Sequence, residues 1–191
     1  MAIDNANWHY GGEGFPEDLP PEAGGTHIGM FLAWAIMNHL ESEMQREQAQ
    51  EDLAAVRERR TTGCTFLFKV CDKRLWDIDL SDEGNAFAQW YYLDRYLEDY
   101  VAVFATTDIP TLYNVADTWE NFDKLAPLIT ARYETWKARQ SLLSGDIDAN
   151  VLMIEEALER LEHEGNDPDS FVIFSANKER NIFGLIRYLR S

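Results

Sequence analysis

Apolar positions recur at three- and four-residue steps along most of this chain, the spacing of helices that bury one face. Ile28, Phe31, Leu32, Ala35, Ile36 and Leu40 form such a stripe over 26–40, with Thr26 placed as its N-cap. Ser42-x-x-Gln45 reads as a capping box that opens a second helix over 43–60. The stripe of that helix is thin (Met44, Leu53, Val56), and Glu, Gln and Arg fill most of the rest, so it faces mainly solvent. A third helix, 83–104, carries Phe87, Trp90, Tyr91, Leu93, Leu97, Tyr100, Val101 and Phe104, the richest core set in the chain. Asp117-x-x-Glu120 marks the start of a fourth, with helical spacing through Trp119, Phe122, Leu125, Ile129, Tyr133 and Trp136. Pro127 is positioned to kink or divide it. Ser144 to Asp148 opens another helix, which stops at Gly165-Asn166.

Three stretches depart from that pattern. In residues 1–25, Trp8, Tyr10 and Phe15 alternate with Gly11, Gly12 and Gly14 before Pro16, Pro20 and Pro21, a density that forbids a long helix or strand. This leader is expected to run over the surface with its rings packed inward. Thr65-Phe-Leu-Phe68 is β-branched and aromatic, which allows a short strand. Phe171-Val-Ile-Phe174 and Asn181 to Leu189 flank a polar turn and suggest a hairpin, with a helix over 179–189 as the rival. The predicted class is mainly α with a minor β component (α+β). A helical domain spans 1–140, and an appendage of one helix and an apolar terminal segment spans 141–191, with the boundary at 140–145.

The chain has 191 residues, of which 46% are hydrophobic and 13% aromatic, enough for a real core. Its formal net charge is -17, from 34 acidic and 17 basic residues. Nonspecific nucleic-acid binding is therefore not expected, since it needs clustered Lys and Arg. The acids are segregated. No Lys or Arg precedes Arg46, and residues 77–123 hold eleven acids against Arg95 alone. Such a field either keeps a protein soluble or attracts a basic partner. The most apolar run, Ile28 to Met37, is half the roughly 20 residues that span a bilayer, and no export signal opens the sequence. A cytoplasmic protein without a membrane partner is expected, and Cys64 and Cys71 fit that setting as free, buried thiols.

Motifs of known chemistry are missing. His9, His27, His39 and His163 form no His-Glu-x-x-His and no pair one helical turn apart, so no metal is predicted. His27 is expected to bond backbone or a carboxylate such as Asp18 or Glu22. Asp77-x-Asp79-x-Ser81 begins like a calcium loop but has Asp82 at the sixth position and Ala88 at the twelfth; Asp146-x-Asp148-x-Asn150 fails the same test. The glycines of the leader lack the lysine and helix geometry of phosphate loops, and Gly-x-Ser-x-Gly is absent. No catalytic residue and no cofactor is predicted.

Trp8-His-Tyr10, Phe15-Pro-Glu-Asp-Leu-Pro20, Thr26-His-Ile-Gly-Met-Phe-Leu-Ala-Trp-Ala-Ile36, Glu83 to Ala88 and Asp117 to Pro127 occur in order. Together they resemble an uncharacterised bacterial domain family over residues 7 to about 138. The resemblance implies a compact helical cytoplasmic domain, similar to proteins encoded beside secreted polymorphic toxins, where small acidic partners act as immunity proteins. The expected function is accordingly that of an immunity protein, not an enzyme, which occludes the basic active site of a cognate toxin. The candidate partner-binding residues are Asp77, Asp79, Asp82, Glu83, Tyr92, Asp94, Tyr96, Glu98 and Asp99, where Tyr92 and Tyr96 would line a groove. Two alternatives stand beside it: a hydrolase or transferase with a site near His9, His27, Asp18 and Glu22, and a regulatory or scaffold module that packs helix 43–60 on another subunit. The oligomeric state is left open.

Overall fold

The computed structural model describes residues 1–10, 12, 14–106, 109–144, 173–177 and 182–186. They fall into two compact units, Met1–Arg132 and Tyr133–Ser191. The first is built around helix α2, Thr26–Met37, which is buried on every side from Thr26 to Ile36. The stripe expected there is real, but Met30, Ala33 and Trp34 on the remaining faces are covered as well. An element apolar all round is a core element. Its N-cap is Gly25, with no side-chain cap, and Thr26 is a buried first residue.

Neighbouring elements cover α2 from several directions. Helix α5, Gly63–Lys69, crosses it where Gly29 meets Gly63. A Cβ on Gly29 would collide with the Cys64 backbone, and one on Gly63 with the Gly29 carbonyl. This crossing also corrects the strand expected at 65–68. Thr62 caps α5 by accepting from the Thr65 N–H at 3.2 Å, and close packing on α2 overrides the strand preference of Thr65 and Phe66.

The helix expected over 43–60 is two, α3 (Glu43–Gln48) and α4 (Gln50–Arg57), separated at Ala49, whose backbone leaves the helical region. Ser42 caps α3 through the Gln45 N–H, but the Gln45 side chain turns inward to Asp79 instead of closing the box. Leu53 and Val56 of α4 lie in the core, and Met44 of α3 is half-buried.

The leader contains a strand that was not expected, β1 (Ala2–Asn5), antiparallel to β2 (Arg74–Trp76), with a register shift between Ala2 and Asp4. Asn5 then caps a four-residue helix, α1 (Ala6–His9), by accepting from the Asn7 N–H at 2.9 Å. A 3-10 turn at Pro21–Gly25 leads into α2. The rings of the leader are not uniformly inward: Trp8 and Tyr10 are exposed and Phe15 is half-buried.

Helices α6 (Asp82–Tyr91) and α7 (Leu97–Phe104) are joined through a π turn at Tyr92–Tyr96. Each α-helical residue advances about 100°, so the extra residue of a π turn rotates everything after it. Phe87, Tyr91, Tyr92, Tyr96, Tyr100 and Phe104 therefore form the buried set, and Phe31 of α2 packs among four of these rings. Leu93, Leu97 and Val101, expected in the core, are exposed.

Helix α8, Trp119–Ser144, runs through Pro127 and through 140–144 without division. Its start is capped by Thr118, whose hydroxyl accepts from the Asn121 N–H; Asp117 accepts from the Thr62 hydroxyl instead. Phe122, Leu125 and Ile129 are buried, and the Thr130 hydroxyl accepts from the Trp34 indole at 3.0 Å.

In the second unit Tyr133 and Trp136 stack with ring centroids 5.8 Å apart. Strands β3 (Ile173–Asn177) and β4 (Ile182–Ile186) pair antiparallel, Ile173 opposite Ile186 and Asn177 opposite Ile182, which is the strand reading of the terminal segment and not the helical one. The helix expected between 144 and 164 lies outside the described residues. The fold is mainly α with a minor antiparallel β component. Among the described residues, no helix is long and apolar enough to cross a membrane.

Candidate functional site

The nine expected partner-binding residues separate by burial. Asp79 is buried, accepting from the Trp76 N–H at 2.8 Å and the Gln45 amide at 2.6 Å. Asp99 is buried as well, accepting from the Tyr91 hydroxyl at 3.0 Å and from two nitrogens of Arg132, each at 2.9 Å. Tyr92 and Tyr96 do not line a groove. The π turn rotates both into the core, where they stack at 4.8 Å. Asp77 is half-buried and pairs with the Met1 amino group. Asp82, Glu83, Asp94 and Glu98 are exposed.

The π turn that buries the tyrosines turns three large apolar residues outward. Leu93, Leu97 and Val101 recur every fourth position with exposures of 50%, 58% and 38%. Asp94 and Glu98 sit next to them in the sequence and are exposed too. Arg95, the basic residue between them, lies over the Trp90 ring at 4.7 Å and donates to the Trp90 carbonyl. The result is an apolar row edged with carboxylates. Periodicity alone assigns Leu93, Leu97 and Val101 to the core; the signal that contradicts it is the strict four-residue run Tyr92, Tyr96, Tyr100 and Phe104.

A second constellation gathers in the leader. Asp4 on β1, His9 at the end of α1 and His27 in the first turn of α2 bring their donor atoms within 4.8 Å of one another. His9 Nε2 is 3.0 Å from Asp4 Oδ1, and His27 Nε2 is 3.4 Å from Asp4 Oδ2. The two imidazoles meet edge-on at 4.5 Å. Asp4 also accepts from the Tyr92 hydroxyl at 2.6 Å and the Asn5 N–H at 2.7 Å, while the Tyr96 hydroxyl donates to the His27 carbonyl at 2.5 Å. Tyr113 and Phe15 stand beyond His9 as an aromatic wall.

The electrostatics of the cluster are asymmetric. Burial works against ionising Asp4, but hydrogen bonds with His27, His9 and Tyr92 outweigh it and hold the carboxyl far below the usual carboxylate range. Burial also lowers the His27 pKa by more than the Asp4 carboxylate raises it. Hydrogen bonding thus dominates at Asp4 and burial at His27. His27 was expected near Asp18 or Glu22, but both are exposed, and Asp4 is the carboxylate that joins it to His9. Nothing local in the sequence marks Asp4, which lies on β1, 23 positions before His27. Cys64 and Cys71 are free and buried, and burial raises both thiol pKa values, so neither is a poised nucleophile.

A family model described as a domain of unknown function, DUF7832, matches residues 2–115. The chain belongs to that family. The DUF7832 span includes Asp4, His9, His27 and the whole α6–α7 segment, and it ends before α8. The block from Asp117 to Pro127 therefore lies outside it. Neither the curated proteins nor the solved structures contain a match to the chain.

Proposed function

We propose that the chain is an immunity-type protein, which binds a partner protein with a basic surface and neutralises it by covering its active site. The observation that carries this reading is the Leu93–Leu97–Val101 row with Asp94 and Glu98 beside it. Exposed apolar residues supply the desolvated centre of an interface and a charged rim supplies steering and register. A net charge of -17 favours a partner of opposite sign. The interface expected from sequence is thereby narrowed to Asp94 and Glu98, with Asp82 and Glu83 as further exposed acids, and Leu93, Leu97 and Val101 are added.

Calorimetry of the chain against the product of the adjacent gene tests the reading. Tight 1:1 binding that weakens with salt is expected. Leu97→Asp should weaken it at least about 10-fold, the scale of one interfacial anchor, and Asp94→Lys with Glu98→Lys should mainly slow association. A folded chain that does not bind, or variants that bind unchanged, would overturn it.

A second reading, hydrolase or transferase chemistry in the leader, is favoured by the convergence of His9 and His27 on Asp4. It expects His9→Gln to abolish a turnover while leaving partner binding intact.

A further inference from the structure

We propose that Asp4, His9 and His27 form a binding site for one divalent transition-metal ion, with two imidazole nitrogens and one carboxylate as protein ligands. Two histidines and a carboxylate are the donor set of catalytic zinc sites and of iron(II) sites with open positions. The inference does not depend on the partner-binding reading.

The spacing of the donors fits. An ion about 2.0–2.2 Å from each ligand atom holds those atoms roughly 3–3.5 Å apart in tetrahedral or octahedral geometry. Asp4 offers one oxygen to each imidazole, Oδ1 at 3.0 Å from His9 Nε2 and Oδ2 at 3.4 Å from His27 Nε2, and the three donor groups all lie within 4.8 Å of one another.

The charge fits as well. Asp4 is a mostly buried carboxylate, and among the described residues the basic side chains within ion-pair distance of it are the two histidines, with no Lys or Arg. A divalent ion here would face a carboxylate that hydrogen bonds, with no Lys or Arg, hold in place. The surrounding bonds hold two of the ligand residues: the Tyr92 hydroxyl donates to one Asp4 oxygen, and the Tyr96 hydroxyl to the backbone carbonyl of His27. Groups that orient ligands in this way are what established metal sites use to hold theirs. An entry path exists on one side, where the His9 side chain is 28% exposed. Three protein ligands leave coordination positions for water or a substrate atom, so an ion here would be placed to act on a bound molecule and not only to staple the leader.

Cobalt(II) titration of the full chain, followed by its visible ligand-field bands and by displacement with zinc(II), is the test. One equivalent should bind, and zinc should raise the melting temperature. His9→Gln should lose at least about 100-fold in affinity, beyond the 10–100-fold typical of outer-shell changes. Tyr92→Phe should lose less, and His39→Ala, at an exposed histidine outside the cluster, should bind as the unaltered chain does. A folded chain that takes up no cobalt, or a His9→Gln variant that binds normally, overturns the proposal. Should His9→Gln fail to fold, paramagnetic broadening of imidazole proton resonances in the unaltered chain decides. Broadening of His9 and His27 but not His39 supports the site, and any other pattern refutes it.

Discussion

Asp99 is an acid whose position on a helix suggests a surface role and whose environment gives it a structural one. It accepts three hydrogen bonds, two of them from the Arg132 guanidinium in side-by-side geometry. Those Arg132 bonds, against a smaller cost of burial, hold its carboxyl below the usual range, helped by the Tyr91 hydroxyl. Arg132→Ala should destabilise the chain by about 1–2 kcal/mol, less than a fully buried pair because the Arg132 side chain is 41% exposed. The pH dependence has a definite sign. A carboxylate depressed in the folded state stabilises above its unfolded pKa, and that contribution disappears as pH falls through the folded value. The gap between the unaltered chain and Arg132→Ala, measured by urea unfolding, should be constant near neutrality. It should start to close near the ordinary aspartate range and vanish only below it. A gap that does not close in acid would mean that packing of the Arg132 stem, not its charge, is what the substitution removes. At this scale the sequence is a poor guide to which acids are free. Asp94, Glu98 and Asp99 are near neighbours in the sequence, yet only the fold shows that the third has a cation 33 positions away.

Elements were legible where local spacing and final environment agree. The α8 stripe Phe122, Leu125, Ile129 lies buried as its period requires, because that helix presents one face to the core. Agreement ends where packing between distant elements decides. Thr65-Phe-Leu-Phe68 has strand composition but sits in a helix, since α5 must lie flat on α2 and only the Gly29–Gly63 contact allows the approach. Ordinarily Gly→Ala inside a helix gains about 0.5–1 kcal/mol. Here the sign should reverse: Gly29→Ala forces the two helices apart against backbone atoms and should cost about 1–3 kcal/mol or more by denaturant titration. A neutral or stabilising result would show that α2 and α5 can separate without loss. The α6–α7 segment failed for a different reason. A three- and four-residue template has no place for a π turn, so it kept Leu93, Leu97 and Val101 inside and put Tyr92 and Tyr96 outside. One inserted residue thus created both features that bear on function, the exposed apolar row and the Tyr92 and Tyr96 contacts to Asp4 and His27.

For the whole molecule, the net charge of -17 acts against compactness and in favour of association with a basic partner, and salt separates the two effects. The long-range repulsion among segregated acids extends beyond the Debye length at high ionic strength and is screened first. Local attractions are screened too, but the exposed pairs Arg59–Asp123, Lys69–Asp52 and Lys124–Glu120 are of the kind that contributes little. The partly buried pairs Arg57–Glu41 and Arg132–Asp99 are less sensitive to ions. Raising sodium chloride from about 20 to about 300 mM should therefore raise the melting temperature of the isolated chain, as repulsion fades within about a Debye length. Over the same range the proposed partner should bind more weakly, because steering by the acidic field is lost. Opposite trends in the two measurements would trace both to one charge distribution. Parallel trends would separate them: a chain destabilised by salt would mean that its local ion pairs outweigh the global repulsion, and a partner bound more tightly in salt would place the apolar row, not its carboxylate rim, at the centre of recognition.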